Sequence, residues 1–194
     1  MEERNNLFPV FLKLEELDTL IVGGGNVALE KLNALLKSSP LVRVTVVASR
    51  MRDEIKELAR DRQRINLIER DFRAKDLQGK DLILLATDNN ELHHRIRILA
   101  RRKRLLVNVA DTPNLCDFYL GSVVTKGNLK IGISTNGKSP TIAKRIREYL
   151  EEIIPDETVD LLKNMHAIRE RMKGNFAENV LMLNEITASW LKKG

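Results

Sequence analysis

Apolar positions alternate with polar ones in two different rhythms along the chain, and the change between them marks the elements. Short, nearly continuous apolar runs occur at Thr19 to Val22, Val42 to Ala48, Ile65 to Arg70, Asp81 to Thr87 and Leu105 to Val109. Runs of this length rich in β-branched residues and leucine predict strands buried on both faces. Between them, Ala28, Leu32, Leu35 and Leu36 recur at helical spacing before Ser38-Ser39-Pro40, Met51 to Arg62 reads as a short helix, and Leu92, Ile96, Leu99 and Ala100 mark another. Strands alternating with helices predict an α/β fold with a doubly wound parallel sheet that closes near Pro113. The mostly apolar segment Leu7 to Leu14, with Pro9 near its start, reads as a lead-in or an edge strand.

After Pro113 the pattern changes. Gly121 to Thr125, a Lys126-Gly127-Asn128 turn and Leu129 to Ser134 predict a β-hairpin, which is marginal alone and needs a packing partner. Ser139-Pro140 gives an N-cap followed by proline at the first helical position. Ile142, Ile146, Tyr149, Leu150 and Ile153 line one face of the helix that follows, and Pro155 stops it. Two closing helices are expected from Thr158 to Lys193, with Gly174 as a break and Val159, Leu162, Met165, Val180, Leu183 and Trp190 as apolar positions.

The strongest chemical signal lies just after the first strand. Gly23-Gly24-Gly25-Asn26-Val27-Ala28 joins a strand to a helix, as a dinucleotide fingerprint requires. Gly23 permits a sharp turn, Gly25 keeps a Cβ away from a pyrophosphate, and Ala28 lets the helix approach the strand. The anion would sit at the positive end of the helix. The fold expected is therefore Rossmann-like. Ligands in such sheets bind beyond the carboxyl ends of the strands, which directs attention to Ser49-Arg50, Thr87-Asp88-Asn89 and Asp111-Thr112. A generic NAD site places an acid after the second strand. Ser49-Arg50 stands there instead, so Ser49 can bond a ribose hydroxyl while Arg50 can pair with a 2′-phosphate, and the choice between NAD and NADP stays open. Asp111 either projects its carboxylate to the crevice as a base or serves as a turn residue before Thr112-Pro113. His93, His94 and His166 are expected at the surface.

Composition narrows the class. The 194 residues are 43% hydrophobic and 31% charged, which suits a globular protein, with one ordinary domain of about 100–150 residues plus an appendage. The single cysteine, Cys116, excludes an intrachain disulfide and a zinc site built on several thiolates, and no metal-ligand spacing stands out. No apolar run approaches the ~20 residues that span a bilayer, and the polar start lacks the order of a secretory signal, so a cytoplasmic protein is expected. Lys and Arg number 33 against 27 Asp and Glu, a net +6 that would attract polyanions. The scattered cations and an aromatic content of 4% give no stacking platform for nucleic acid.

Several stretches together resemble the siroheme synthase N-terminal family, meaning precorrin-2 dehydrogenase with or without sirohydrochlorin ferrochelatase activity. They are Leu7 to Leu12, Ile21 to Ala28 with Lys31, Ala86 to Asn89, Asn108 to Asp111, and Ile133 to Pro140. The resemblance implies a dinucleotide-binding domain over residues 1–113, a small hairpin-containing dimerisation segment over 114–149 and a helical end over 150–194. It implies NAD as the acceptor of a hydride from precorrin-2 in siroheme biosynthesis, a homodimer, and ferrous iron as a further substrate if the chelatase activity is present. Gly23, Gly24, Gly25, Asn26, Val27, Ser49, Arg50, Thr87 and Asp88 are the expected cofactor contacts, and Asp111 matches the family's essential aspartate. Because the family binds NAD without an acid after the second strand, the resemblance favours NAD. Thr135 stands where some relatives carry serine. Lys138, Lys144, Arg145 and Arg147 could attract the carboxylates of the tetrapyrrole, although a solvated face explains any one of them. A nucleotide-sensing module without catalysis is the alternative from another class.

Overall fold

The computed structural model describes residues 4–171 and 176–187. Gly174 and Trp190 of the expected closing helices lie outside the described residues. The chain divides into two compact units, residues 1–120 and 121–194.

The first unit is a five-stranded sheet of β1 (Asp18–Val22), β2 (Arg43–Ala48), β3 (Ile65–Glu69), β4 (Leu82–Leu85) and β5 (Leu106–Val109). Every pairing is parallel and the order is β3-β2-β1-β4-β5. This is the doubly wound, Rossmann-like arrangement: the chain runs outward from β1 to β3, returns to the centre, and runs outward the other way through β4 and β5. Helices α1 (Asn26–Ser38), α2 (Asp53–Arg60) and α3 (Asn90–Arg102) make the crossovers.

Alternation along each strand assigns its side chains to two cores. On one face Ile21, Val44, Val46 and Leu84 pack with Ala28, Leu32 and Leu35 of α1 and Ile55 of α2. On the other, Leu20, Val22, Ile83, Val107 and Val109 pack with Ile96 and Ala100 of α3. Burial on both faces is why β4 reads Leu-Ile-Leu-Leu without a polar residue. Residues 7–12 form no strand and are exposed, so the edge-strand alternative for Leu7 to Leu14 does not hold. Pro9 lacks the N–H that continuous pairing requires.

In the second unit β6 (Ser122–Lys126) pairs antiparallel with β7 (Leu129–Ile133). Gly127 turns the hairpin at φ +55, and a Cβ there would lie 2.8 Å from Val159 Cγ1. Helix α4 (Pro140–Ile153) covers the hairpin, burying Val124 and Ala143, and supplies the partner that an isolated hairpin needs. Ser139 caps α4 by accepting from the Ile142 N–H at 3.2 Å. Helices α5 (Thr158–Arg171) and α6 (Phe176–Thr187) follow. Lys126 ties the hairpin to the segment before α5 through Asp156, at 2.8 Å, and the Ile154 carbonyl.

Candidate functional site

The glycine loop is shaped by what each glycine touches. Gly23 has φ +125, and a Cβ on it would stand 2.1 Å from the Ala86 carbonyl oxygen and 3.3 Å from Thr87 Cγ2. A Cβ on Gly24 would stand 2.1 Å from the Arg50 carbonyl oxygen. These two glycines therefore let the loop pass between the ends of β4 and β2. Gly25 differs, since its Cβ direction opens into free space. That open side is where a phosphate can approach the backbone.

Gly25 is also the N-cap of α1 and supplies no side-chain acceptor to the helix. The N–H groups of Asn26, Val27 and Ala28 have no acceptor within the helix by its geometry, and the first turn carries no acidic residue. An anion is the complement of such an end. This end of α1 thus fits a dinucleotide pyrophosphate.

The segment after β2 closes over this loop. The Arg52 N–H donates to the Gly24 carbonyl at 3.0 Å, and Arg52 Nη1 donates to Asn26 Oδ1 at 2.5 Å. Arg52 Nε also donates to Glu54 Oε2 at 3.1 Å, beside a second contact between Nη2 and Oε1. Pairing with Glu54 raises the basicity of Arg52 and holds the Glu54 carboxyl below the usual carboxylate range. Ser49 and Arg50 lie exposed at the end of β2. Sequence reasoning weighed Arg50 and missed Arg52, because only the turn between β2 and α2 brings position 52 back to Asn26.

Beyond β4, Thr87 approaches the glycine loop at Gly23 from the other side, and the next residue, Asp88, is exposed. His93 is 2% exposed, which corrects the expectation of a surface histidine; His94 and His166 are exposed as expected. The ring Nε2 lies 2.9 Å from Thr87 Oγ1, and Nδ1 is buried without a hydrogen-bond partner among the described residues. Burial pushes the His93 pKa below its ordinary value, outweighing the opposing effects of Thr87 and Asp88. Its spacing to Ile96 and Ala100, three and seven residues on, was the signal that placed it on the buried stripe of α3.

Asp111 follows β5 with φ +53, a left-handed conformation that Asp tolerates better than most residues. Its carboxylate is exposed and makes no hydrogen bond or ion pair among the described residues. The turn it occupies is held by others. Thr112 Oγ1 donates to the Ala110 carbonyl at 3.2 Å, and Cys116 Sγ exchanges hydrogen bonds with the backbone of Val109 at 3.2 Å.

Lys31 approaches the same strand end from α1. Its Nζ donates to Asn108 Oδ1 at 2.8 Å, while Asn108 Nδ2 donates to the Phe118 carbonyl at 2.9 Å. Burial lowers the Lys31 pKa; Cys116, Glu30 and Asp111 oppose that shift electrostatically. Lys31 and Asp111 are thus close enough to influence each other.

In the second unit, the basic residues expected to meet tetrapyrrole carboxylates are largely engaged on α4 itself. Lys144 and Arg145 pair with Glu148 at 3.8 and 3.5 Å, and Arg147 pairs with Glu151 at 2.9 Å. Thr135 Oγ1 bonds both the N–H and the carbonyl of Ser139, at 3.2 and 3.1 Å.

A family model described as putative NAD(P)-binding matches residues 10–122. The chain belongs to this family. The next stretch, residues 126–153, matches a family model described as sirohaem biosynthesis protein central. Siroheme synthase from Methylococcus capsulatus is 39% identical over 165 residues, 85% of this chain and 34% of that protein. Siroheme synthase from a Psychrobacter species is 36% identical over 168 residues, 87% of this chain and 34% of that protein. The chain therefore spans about a third of the length of these curated relatives. Among solved structures, one described as SirC, precorrin-2 dehydrogenase, shares the fold with a TM-score of 0.73 at 24% identity, covering 93% of this chain and 89% of that one.

Proposed function

We propose that this chain is an NAD-dependent dehydrogenase that oxidises precorrin-2 to sirohydrochlorin in siroheme biosynthesis. The observation that carries the reading is Asp111. It is an exposed carboxylate that makes no hydrogen bond or ion pair among the described residues, held in a left-handed turn at the end of the strand beside β4, in a chain whose glycine loop fits a dinucleotide. A turn aspartate kept for its fold would bond the turn, yet Thr112 and Cys116 do that. The siroheme synthases named among the relatives, and the matched central segment, support the substrate.

The reaction converts precorrin-2 and NAD+ to sirohydrochlorin, NADH and a proton. Bound NAD+ supplies the hydride acceptor. The loop N–H groups of Asn26 and Val27 would hold the pyrophosphate, with Gly23 and Gly24 giving the loop its shape. Ser49 and Arg50 would lie at the ribose, and Thr87 and Asp88 would line the β4 side. The Asp111 carboxylate would take the released proton, and general-base assistance of this kind is worth about 10²–10⁴ in rate.

The same reading includes a homodimer formed through the segment 114–149. Ile142, Ile146 and Tyr149 recur at helical spacing on α4 and are 40–60% exposed, an apolar stripe that a second copy can cover.

The test is a spectroscopic assay of the purified chain with precorrin-2 and NAD+, comparing the wild type with Asp111→Asn. The variant should keep its melting temperature and NAD+ affinity while turnover falls by about 10²–10⁴. Lower thermal stability with unchanged activity per folded molecule would instead make Asp111 a turn residue. Iron insertion into sirohydrochlorin, measured alongside with ferrous iron as substrate, would add the chelatase activity.

A further inference from the structure

We propose that His93 is a positioning residue of the dinucleotide site: with its ring hydrogen on Nε2 it donates to Thr87 Oγ1, and so leaves the Thr87 hydroxyl hydrogen for an oxygen of the bound dinucleotide. This role rests on the dinucleotide reading above and adds to it a buried residue and a direction of hydrogen bonding.

Helix α3 begins soon after β4, and the turn between them is fixed by Asn89. Its Oδ1 caps the helix by accepting from the Leu92 N–H at 2.9 Å, and its carbonyl accepts from the His93 N–H at 3.0 Å. This first turn carries His93 back beneath Thr87, where the ring is buried and Nε2 lies 2.9 Å from Oγ1. Thr87 itself is half-buried, and its Cγ2 lies 3.3 Å from where a Cβ on Gly23 would stand. Thr87 therefore stands between a buried imidazole and the first glycine of the loop.

Which of the two groups donates follows from what each choice would bury. Burial pushes the His93 pKa below its ordinary value, so near neutral pH the ring carries a single hydrogen. Placed on Nδ1, that hydrogen would be a buried donor with no acceptor among the described residues. Placed on Nε2, it bonds Thr87, and Nδ1 keeps only an unfilled lone pair. Orphaned buried N–H groups are the rarer case, and Nε2–H is also the tautomer that histidine prefers in water. Thr87 Oγ1 then accepts twice, from His93 Nε2–H and from the Asn89 N–H at 3.3 Å, which fills its acceptor capacity. Its own hydrogen enters no further hydrogen bond among the described residues. Beside a loop shaped for phosphates, the complement of that hydrogen is an oxygen of the dinucleotide.

Nitrogen–proton correlation spectra of the imidazole rings, recorded near neutral pH on the whole chain without ligand, read the tautomer. His93 should appear as a neutral ring with its hydrogen on Nε2. Hydrogen on Nδ1 overturns the proposal, because Thr87 must then donate to the ring. Calorimetric titration with NAD+ reads the hydroxyl, and Thr87→Val should weaken binding about tenfold or more. His93→Leu should weaken it about three- to tenfold, and His93→Gln, whose amide can still donate to Thr87, should recover most of that loss. In the Thr87→Val background His93→Leu should cost little more, since both act through one hydroxyl. Unchanged NAD+ affinity in Thr87→Val, or a Gln variant no better than Leu, overturns the role. If His93→Leu fails to fold, the tautomer and Thr87→Val decide the matter. Failure of the wild type to bind NAD+ overturns the dinucleotide reading as well.

Discussion

Lys31 of α1 donates to Asn108 of β5 at 2.8 Å, joining the element that follows the glycine loop to the strand that leads to Asp111. Asn108 is 5% exposed and is held in turn by the Phe118 carbonyl. The amide thus offers its oxygen to a partly buried ammonium and its nitrogen to the chain beyond β5. Removing it leaves the ammonium without its acceptor. Asn108→Ala should cost about 2–3 kcal/mol of stability, the scale of a hydrogen bond to a charged group. Combining it with Lys31→Met should cost less than the sum of the single changes, because the stranded charge is then gone. Urea denaturation of the three variants measures both effects, and strict additivity would count against the coupling.

The two ends of the glycine triplet should fail in different ways. Gly23→Ala places a Cβ against the Ala86 carbonyl at a backbone angle of φ +125, so it should destabilise the fold by about 2–6 kcal/mol. Gly25→Val faces open space and should fold normally while losing dinucleotide binding. Melting temperature and calorimetry on both proteins separate the roles. Unchanged NAD+ affinity in Gly25→Val would make the loop a structural turn.

His93 should make stability fall in mild acid. Burial lowers its pKa in the folded protein, so as pH drops below the ordinary value of 6.5 the unfolded chain takes up a proton that the folded chain refuses. Proton uptake by the unfolded state favours unfolding. This part of the stability is complete above pH 6.5 and declines as pH falls from there toward the lowered folded value. His93→Gln, which can still bond Thr87, should flatten that decline in a series of melts between pH 7.5 and pH 5. An identical slope in the variant would assign the effect to other groups.

The apolar stripe on α4 predicts the assembly. Ile146→Lys or Tyr149→Glu puts a charge on that face and should raise the dimer dissociation constant about tenfold or more without unfolding the unit. Light scattering of the wild type and the variants checks it. A wild-type monomer at micromolar concentration with full activity would remove the dimer from the functional reading.

The sheet was legible in the sequence because a strand buried on both faces must be apolar throughout. The five runs correspond to β1 to β5, with differences at their ends such as Asp81, Ala86 and Thr87 lying outside β4. The glycine loop was legible for a related reason. A turn of this kind next to a helix end tolerates few side chains, so its chemistry is written as missing ones. The hairpin and the Ser139-Pro140 helix start were likewise local signals, carried by a glycine turn and a cap. What the sequence determined by itself was therefore whatever depends on neighbours within a few residues.

Tertiary structure alone decided which distant residues share a site. Arg52 reaches Asn26 only because the turn after β2 folds back over the glycine loop, and Lys31 reaches Asn108 only because α1 and β5 meet across 77 residues of chain. The same packing buried His93 beneath Thr87, although its adjacent His94 remains in water. It also left Asp111 without a hydrogen bond or ion pair among the described residues while engaging Lys144, Arg145 and Arg147 on their own helix. Charge and hydrogen-bonding capacity are properties of a residue type, but whether they are spent within the fold or left for a ligand depends on contacts that no local pattern encodes.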